Sequence, residues 1–418
     1  MFESKFDKAC EQSPFLSLHA KTREFIRQKA DFYSFSFSQI RQLISAAVDL
    51  QMWDLDIKEL WNEDKKAFKK FFEKYEQIRN TPKKYLPQKI HAQNRAIEFL
   101  NIDKSVVGFG RCPVASPKTR CCNLLTLDAA EGCAYGCSYC SIQTFYGGKI
   151  SLNTNFAQKL SCIGLDKNEI YHIGTGQSSD SLMLGSKGGI LDALINFARE
   201  NPNVILEFKT KSANIKYLLK TELPPNIICT FSLNPQAVID NEEHFTASLK
   251  QRMQAALKLS QKGVLVGFHF HPMIYFEGWQ KEYEAIAREL TQRFKPENTA
   301  LVSMGTLTFI KPVLRQIRTK ADKSRILQMP LTEANGKFSY PLEVKKQMFG
   351  ALYKAFEAWH KDVFFYLCME DASLWESVFG FEYENNNAFE NAMKNAYMSK
   401  INKLCTIKTD KKTQKSVN

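Results

Sequence analysis

The sequence predicts an α/β fold in which a partial (βα)6 barrel follows a helical N-terminal extension. From about residue 104, short runs rich in β-branched and aromatic residues alternate with helical segments. This alternation is typical of βα units and a parallel sheet. Six units can be counted, fewer than a closed barrel of this type contains. The sequence therefore predicts an incomplete barrel.

Residues 1–103 are predicted to form a helical accessory region. Segments 37–44 and 64–72 carry apolar residues at helical spacing, as expected for helices that bury one face. We identify no internal repeat in the chain. The barrel is expected to occupy 104–310 and to be followed by a C-terminal α/β extension at 311–405.

The β-rich runs predict six strands, at 123–130, 169–174, 204–208, 227–232, 264–270 and 300–304. Helical segments fill the gaps at 183–199, 245–261 and 279–292. In (βα) barrels the functional loops follow the C-terminal ends of the strands. We therefore expect the functional residues directly after these strands.

The C-terminal part is predicted to add two helices and a strand to the barrel. One helix is expected near 343–360, the strand at 363–367 and the second helix around Trp375. The last residues, 406–418, are polar and basic, and such a composition is typical of disorder.

The composition indicates a globular protein with a basic balance. The net charge of +13 favours a polyanionic partner such as nucleic acid, although solvated lysines would produce the same balance. The longest apolar runs, such as 363–369, are far shorter than the roughly 18 residues that span a membrane. The first residues mix charges and lack an apolar segment, so we expect no signal peptide and a cytoplasmic location.

Three cysteines follow the first predicted strand, and they are Cys133, Cys137 and Cys140. Their spacing suits one [4Fe-4S] cluster, which normally has four thiolate ligands. A loop that supplies only three would leave one iron open to another ligand. A zinc site usually requires four ligands in paired spacing, and disulfides are unusual in a reducing compartment. Both alternatives, and simple burial, stay open on spacing alone.

The CxxxCxxC pattern of these cysteines resembles the signature of the radical S-adenosylmethionine (SAM) superfamily. This resemblance implies that the open iron binds the amino and carboxylate groups of SAM. It also implies that an external one-electron reductant drives cleavage of SAM to a 5′-deoxyadenosyl radical.

Three candidate ligand-binding residues lie in the cysteine loop or follow the second and third strands. Tyr139, directly before the third cysteine, would lie against the adenine of SAM, although ordinary loop packing is the alternative. Ser178 is in a turn of small, polar residues that allows close approach of a charged ligand. Lys211 would meet a carboxylate.

The fourth and fifth predicted strands supply three further candidates. Ser232 and Asn234 would bind the ribose hydroxyls of SAM, with surface positions or a helix cap as the alternative. His271 lies two residues after His269, so both project to one face of a strand. They would line the barrel interior, unless they are buried histidines with hydrogen-bond partners.

A basic strip follows the sixth predicted strand. Lys311, Arg315 and Arg318 are spaced at i, i+4 and i+7, so a helix would place them on one face. This strip is the candidate contact to nucleic-acid phosphates, and a solvated helix face is the alternative.

Several segments together resemble the spore photoproduct lyase family, over about 105–385. They are 137–144, 178–180, 209–211, 231–234, 277–279 and 366–370. The resemblance implies a radical-SAM-type partial barrel with a cluster, SAM and a DNA substrate. It further implies a carbon-carbon lyase in which the deoxyadenosyl radical abstracts hydrogen from a thymine lesion and a cysteine returns hydrogen to the product.

Two positions depart from that family pattern. Gln177 stands where the family has its hydrogen-donating cysteine, and Ser141 stands where it has a tyrosine thought to relay the radical. Tyr139 remains as a catalytic candidate, and another thiol such as Cys229 could substitute for the missing donor. Cys112, Cys121 and Cys122 offer a fourth ligand or a redox role. The alternatives are a radical SAM enzyme with another substrate, or a nucleic-acid-binding protein whose cluster is structural or redox-sensing.

Overall fold

The computed structural model of the chain has a mixed α/β fold with a helical N-terminal region. It describes residues 4–11, 13–85, 97–112, 118–146, 149–318, 324–326, 329, 331–334 and 336–416, with side chains as far as 406. The buried apolar residues form two hydrophobic cores. One lies within residues 6–75, and the other within residues 85–401.

The first core is built by helices. They are α1 (Lys5–Glu11), α2 (Ala20–Phe32), α3 (Phe37–Met52), α4 (Ile57–Leu60) and α5 (Ala67–Asn80). Helix α3 begins with a capping box, in which Ser36 Oγ accepts the N–H of Gln39 and the Gln39 side chain accepts the N–H of Ser36. This reciprocal pair satisfies two backbone donors at the helix start. The predicted helices in 37–44 and 64–72 are confirmed here.

The strands lie between residues 98 and 367. They are β1 (Glu98–Ile102), β2 (Gly108–Arg111), β3 (Leu125–Asp128), β4 (Ala130–Glu131), β5 (Gly136–Cys137), β6 (Lys149–Asn153), β7 (Tyr171–Thr175), β8 (Val204–Thr210), β9 (Ile227–Ser232), β10 (Glu243–His244), β11 (Leu265–Met273), β12 (Thr299–Thr306), β13 (Thr308–Ile310), β14 (Thr332–Ala334), β15 (Lys337–Ser339) and β16 (Phe364–Leu367). The central sheet has the order β16-β12-β11-β9-β8-β7-β3-β2. Its six middle strands are those the sequence predicts.

The remaining helices cover the sheet or follow it. They are α6 (Ile142–Phe145), α7 (Phe156–Ser161), α8 (Ile190–Glu200), α9 (Lys216–Lys220), α10 (Gln236–Glu242), α11 (Leu249–Gln261), α12 (Trp279–Arg293), α13 (Lys311–Arg318), α14 (Leu342–Ala355), α15 (Ser373–Phe379) and α16 (Asn386–Ser416). Apolar faces of α8, α11 and α12 belong to the second core. None of the described helices is both long and apolar enough to cross a membrane.

The (βα)6 barrel itself is not confirmed, because the central sheet has one more strand at each edge. Strand β2 pairs antiparallel with β3, and β16 pairs parallel with β12. Within the described residues, β2 and β16 are not paired with each other, so the sheet is not closed. The sequence predicts the strand β16 but not its place in the sheet, since that pairing joins segments far apart in the chain.

Two other boundaries differ from the sequence prediction. Strand β1, inside the predicted helical region 1–103, pairs parallel with β6. Helix α16 continues to Ser416, although 406–418 is predicted to be a disordered tail. The segment 386–416 contains no glycine or proline that would end a helix, and lysine and glutamine are good helix formers.

Candidate active site

A cavity of about 300 Å³ lies at the C-terminal ends of the parallel strands. Its lining includes Gln177 beyond β7, Lys211 after β8, Ser232 at the end of β9 and His271 near the end of β11. Because parallel strands end at the same edge of a sheet, residues from separate βα units meet here. The cavity is therefore placed where the sequence predicts the functional loops.

The three loop cysteines, Cys133, Cys137 and Cys140, all line this cavity. Gly132 before them has φ +88°, and a Cβ at this position would lie 2.0 Å from the Lys149 carbonyl oxygen. Only glycine fits that turn. Cys137 is further fixed by backbone pairing with Glu243 across β5 and β10.

Met183 contacts the first turn of the cysteine loop. Its Sδ lies 3.9 Å from Cys133 Sγ and accepts the N–H of Ala134 at 3.4 Å. The sequence alone does not mark Met183 as a site residue, because a methionine at that position is typical of ordinary core packing.

Burial controls the protonation of the loop thiols. It raises the pKa of Cys133 to about 12 and that of Cys137 well above its usual value. Both thiols are thus neutral on their own, and metal binding would release their protons. Among the described residues, no three His, Cys, Asp or Glu side chains are arranged to hold a single metal ion. Three cysteine thiols lining one cavity are a donor set suited to an iron-sulfur cluster.

A buried ion network centred on Glu243 lies beside the loop. Glu243 Oε1 accepts hydrogen bonds from Tyr139 Oη, from Lys211 Nζ at 2.7 Å and from Asn234 Nδ2 at 2.8 Å. Its Oε2 is ion-paired with Arg252 at 2.6 Å. Glu243 is 1% exposed, so two cations compensate one buried carboxylate. The sequence offers no local pattern that distinguishes Glu243 from a surface glutamate.

Tyr139 and Lys211 are brought together by this network. Both line the cavity, and Lys211 Nζ donates to Tyr139 Oη at 2.7 Å. Burial, assisted by the Glu243 carboxylate, raises the pKa of Tyr139 well above its usual value, so the phenol keeps its proton. The adenine-binding and catalytic roles of Tyr139 stay predictions.

Ser178 and Asn234, two of the predicted SAM-binding residues, form hydrogen bonds with other residues of the protein. Ser178 Oγ donates to Asp128 Oδ1 at 2.6 Å and to the Ala130 carbonyl at 3.1 Å. Asn234 accepts from Tyr283 Oη at 2.7 Å in addition to its bond to Glu243. Neither residue is part of the cavity lining. Their placement therefore does not match the predicted contacts to SAM, because long-range partners engage both side chains.

Ser232 and His271 line the cavity. A buried cluster of polar side chains lies next to them. There, Glu207 bridges two histidines, with His269 Nε2 at 2.7 Å and His172 Nε2 at 2.8 Å from its carboxylate oxygens. Burial lowers the pKa of His271 well below its usual value. His271 is therefore a neutral imidazole at the cavity wall.

The three residues of the predicted basic strip have different surroundings in the structure. Lys311, Arg315 and Arg318 lie on helix α13 as predicted, and Lys311 and Arg315 are exposed. Arg318 instead forms an ion pair with the buried Asp49 of helix α3. Its side chain is 31% exposed and engaged by Asp49, so Arg318 is a weaker candidate for a contact to DNA than Lys311 and Arg315.

The two positions that depart from the family pattern have different surroundings. Gln177 lines the cavity. Ser141 is exposed at the start of α6 and is not part of the lining. The lining contains Cys112, Cys121, Cys122 and Cys368 in addition to the loop cysteines. These four cysteines add thiols from outside the cluster loop.

The family model for spore photoproduct lyase matches residues 60–347 of the chain. The chain belongs to this family. It is 31% identical to the spore photoproduct lyase of Clostridium acetobutylicum over 174 residues, which is 40% of this chain and 52% of that protein. It is 27% identical to the lyase of Geobacillus sp. (strain Y412MC61) over 222 residues, covering 51% and 64% of the two chains. The chain thus spans about half to two thirds of these two relatives.

Solved spore photoproduct lyase structures share the fold. One variant has a TM-score of 0.56 at 21% identity, with 72% of this chain and 94% of that chain covered. Another, with bound AdoMet and dinucleoside spore photoproduct, has a TM-score of 0.54 at 22% identity and the same coverage. All these relatives are lyases, so the comparisons support neither another substrate nor a structural or redox-sensing cluster.

Proposed function

We propose that the chain is a radical SAM lyase that repairs a spore-photoproduct-type thymine lesion in DNA. The observation that carries this proposal is the common cavity. This cavity is lined both by Cys133, Cys137 and Cys140 and by Lys211, Ser232 and His271. The chain that contains it belongs to the spore photoproduct lyase family. One related structure contains bound AdoMet and the dinucleoside spore photoproduct, which supports the choice of cosubstrate and substrate.

The three loop cysteines would hold a [4Fe-4S] cluster. When bound, the cluster supplies the electron, taken from an external one-electron reductant, that cleaves SAM to a 5′-deoxyadenosyl radical. Cys137 is buried, and Cys133 and Cys140 are partly buried, which would limit the access of water to a bound cluster. The contact of Met183 with Cys133 and Ala134 would keep the loop in the liganding conformation.

Lys211 and Ser232 would orient SAM within the cavity. Lys211 carries a positive charge that matches the SAM carboxylate, and the Glu243 network holds its Nζ in place. Ser232 would donate its hydroxyl hydrogen to the ribose. Lys311 and Arg315, which are exposed on α13, are the proposed contacts to the DNA phosphates.

The test is anaerobic reconstitution of the full chain with iron and sulfide, followed by incubation with SAM, dithionite and the dinucleoside spore photoproduct. We expect 5′-deoxyadenosine and repaired dinucleoside thymine. Cys137→Ala should lose iron and both products, whereas Cys162→Ala, which changes an exposed cysteine, should retain them. Iron-loaded protein that cleaves no SAM, or cleaves it without repairing the lesion, would refute the proposal.

A further inference from the structure

Four cysteines outside the cluster loop line the same cavity as the loop cysteines. Cys112 follows β2, Cys121 and Cys122 precede β3, and Cys368 follows β16. They come from three separate segments, so their convergence on the cavity is a product of the tertiary structure. We define Cys121 and Cys122 as the vicinal pair.

The vicinal pair is held by the beginning of the last helix. The N–H of Cys121 donates to Asn386 Oδ1 at 3.0 Å, and Asn123 Nδ2 donates to Glu390 Oε2 at 2.8 Å. Arg120 Nε donates to the Tyr383 carbonyl at 2.8 Å. These contacts fix the turn from both sides of the pair, so its thiols are presented to the cavity in a defined position.

Strained backbone accompanies the cavity thiols. Asn123, directly after the vicinal pair, has φ 50°, and Met369, directly after Cys368, has φ 59°. Non-glycine residues with left-handed conformations are uncommon, and they concentrate at functional sites. Met369 itself lines the cavity. Asn123 is a residue type that adopts this backbone readily, so the two turns define the local backbone beside Cys122 and Cys368.

The two thiols of the vicinal pair are chemically unequal. The hydrogen bond from Cys122 lowers the pKa of Cys121, whereas that same bond and burial raise the pKa of Cys122 well above its usual value. Cys121 is also buried, at 3% exposure, whereas Cys122 is only partly buried, so Cys122 is the more accessible residue of the pair.

Gln177 has no weakly bonded hydrogen to give to a carbon radical, although it lines the same cavity. We propose that Cys122 is the hydrogen-atom donor of this enzyme and that Cys121 positions it. The inference rests on the proposed function, because it requires a product radical in the cavity. Cys368 and the residues that clamp the pair lie beyond the family match, which ends at 347.

The S–H bond of Cys122 breaks, a C–H bond forms on the product radical, and the Cys122 sulfur becomes a thiyl radical. The product carbon is reduced and the thiol is oxidised by one electron. One electron from the external reductant and one proton from solvent then restore the thiol.

The test is a repair assay in D₂O with the reconstituted full chain and the dinucleoside spore photoproduct. Thiol hydrogens exchange with solvent, so wild-type product should carry solvent deuterium. In Cys122→Ala and Cys122→Ser, we expect the ratio of repaired product to 5′-deoxyadenosine to fall about tenfold or more. The deuterium content should fall as well, while SAM is still cleaved.

Cys229→Ala is the matched control, since Cys229 is buried but does not line the cavity. This variant should keep the wild-type ratio and deuterium content. Cys122→Ser preserves the size and polarity of the side chain, so failure of the alanine variant to fold would not hide the result. Unchanged ratio and deuterium content in Cys122→Ser would overturn the inference. Wild-type protein that cleaves SAM without repairing the lesion would overturn the proposed function first, and the inference with it.

Discussion

Lys211 and Glu243 form a buried ion pair, with Nζ and Oε1 2.7 Å apart and side chains 16% and 0% exposed. Glu243 also pairs with Arg252 and, through its backbone, with Cys137. Glu243 therefore contacts both the cysteine loop and Lys211, the proposed SAM-binding lysine. Substitution of Glu243 should affect both the stability of the protein and the geometry of the cavity.

Glu243→Gln should be strongly destabilising. The amide keeps the shape of the side chain but leaves Lys211 and Arg252 without a counter-charge, and breaking a buried ion pair costs about 3–5 kcal/mol. Urea unfolding at neutral pH measures the loss. Glu289→Gln is the control, because the Arg293–Glu289 pair is partly exposed and should contribute about 1 kcal/mol or less. Equal losses in the two variants would contradict the central role of Glu243.

Arg318→Ala and Arg315→Ala should differ although both residues lie on α13. Arg318→Ala removes the ion-pair partner of the buried Asp49 and should lower the unfolding free energy by about 2 kcal/mol. Arg315 is exposed, so Arg315→Ala should change stability by about 0.5 kcal/mol or less. It should instead weaken DNA binding and reduce its salt dependence. The reverse pattern would restore Arg318 to the DNA-binding strip.

Ser178→Ala should act on stability and leave SAM affinity unchanged. Its hydroxyl bonds to Asp128 and Ala130, and an unsatisfied buried acceptor costs about 1–3 kcal/mol. The neighbouring Ser179 lines the cavity instead, so Ser179→Ala should cost less in thermal or urea unfolding. A large loss of SAM affinity in Ser178→Ala, measured by equilibrium dialysis, would contradict this reading.

His269 should make the protein less stable in acid. Burial, assisted by the charge of Lys209, lowers the pKa of His269 from 6.5 to about 4. Between these values the unfolded chain binds a proton that the folded chain does not, so the unfolding free energy falls as the pH falls from 6.5 toward 4. The full effect is about 3 kcal/mol.

Urea unfolding at several pH values, with His269→Gln beside the wild type, measures this slope. The variant should be less stable at neutral pH because it loses the contacts of His269 to Ser303 and Glu207, yet its stability should depend less on pH. His19→Gln changes an exposed histidine and should keep the wild-type slope. An unchanged slope in His269→Gln would exclude His269 as its source.

The main strands could be predicted because their signal is local. Alternating β-rich and helical runs gave all six middle strands of the central sheet, and the spacing of Cys133, Cys137 and Cys140 indicated the site. The edges of the sheet could not be predicted in the same way. Pairing of β16 with β12 depends on which strand edges remain free after the chain has folded.

The sequence by itself determined the central strands and the position of the cysteine loop, because the cysteine spacing and the order of the βα units are properties of short segments. The tertiary structure decided which side chains face the cavity. Tyr139 and Glu243 are 104 positions apart, and Arg318 and Asp49 are 269 apart. A buried charge requires a partner wherever the fold supplies one. Such pairing engages Asn234 and Arg318 with partners from other elements, whereas Lys211, Ser232, His271 and the four additional thiols line the cavity with the loop cysteines.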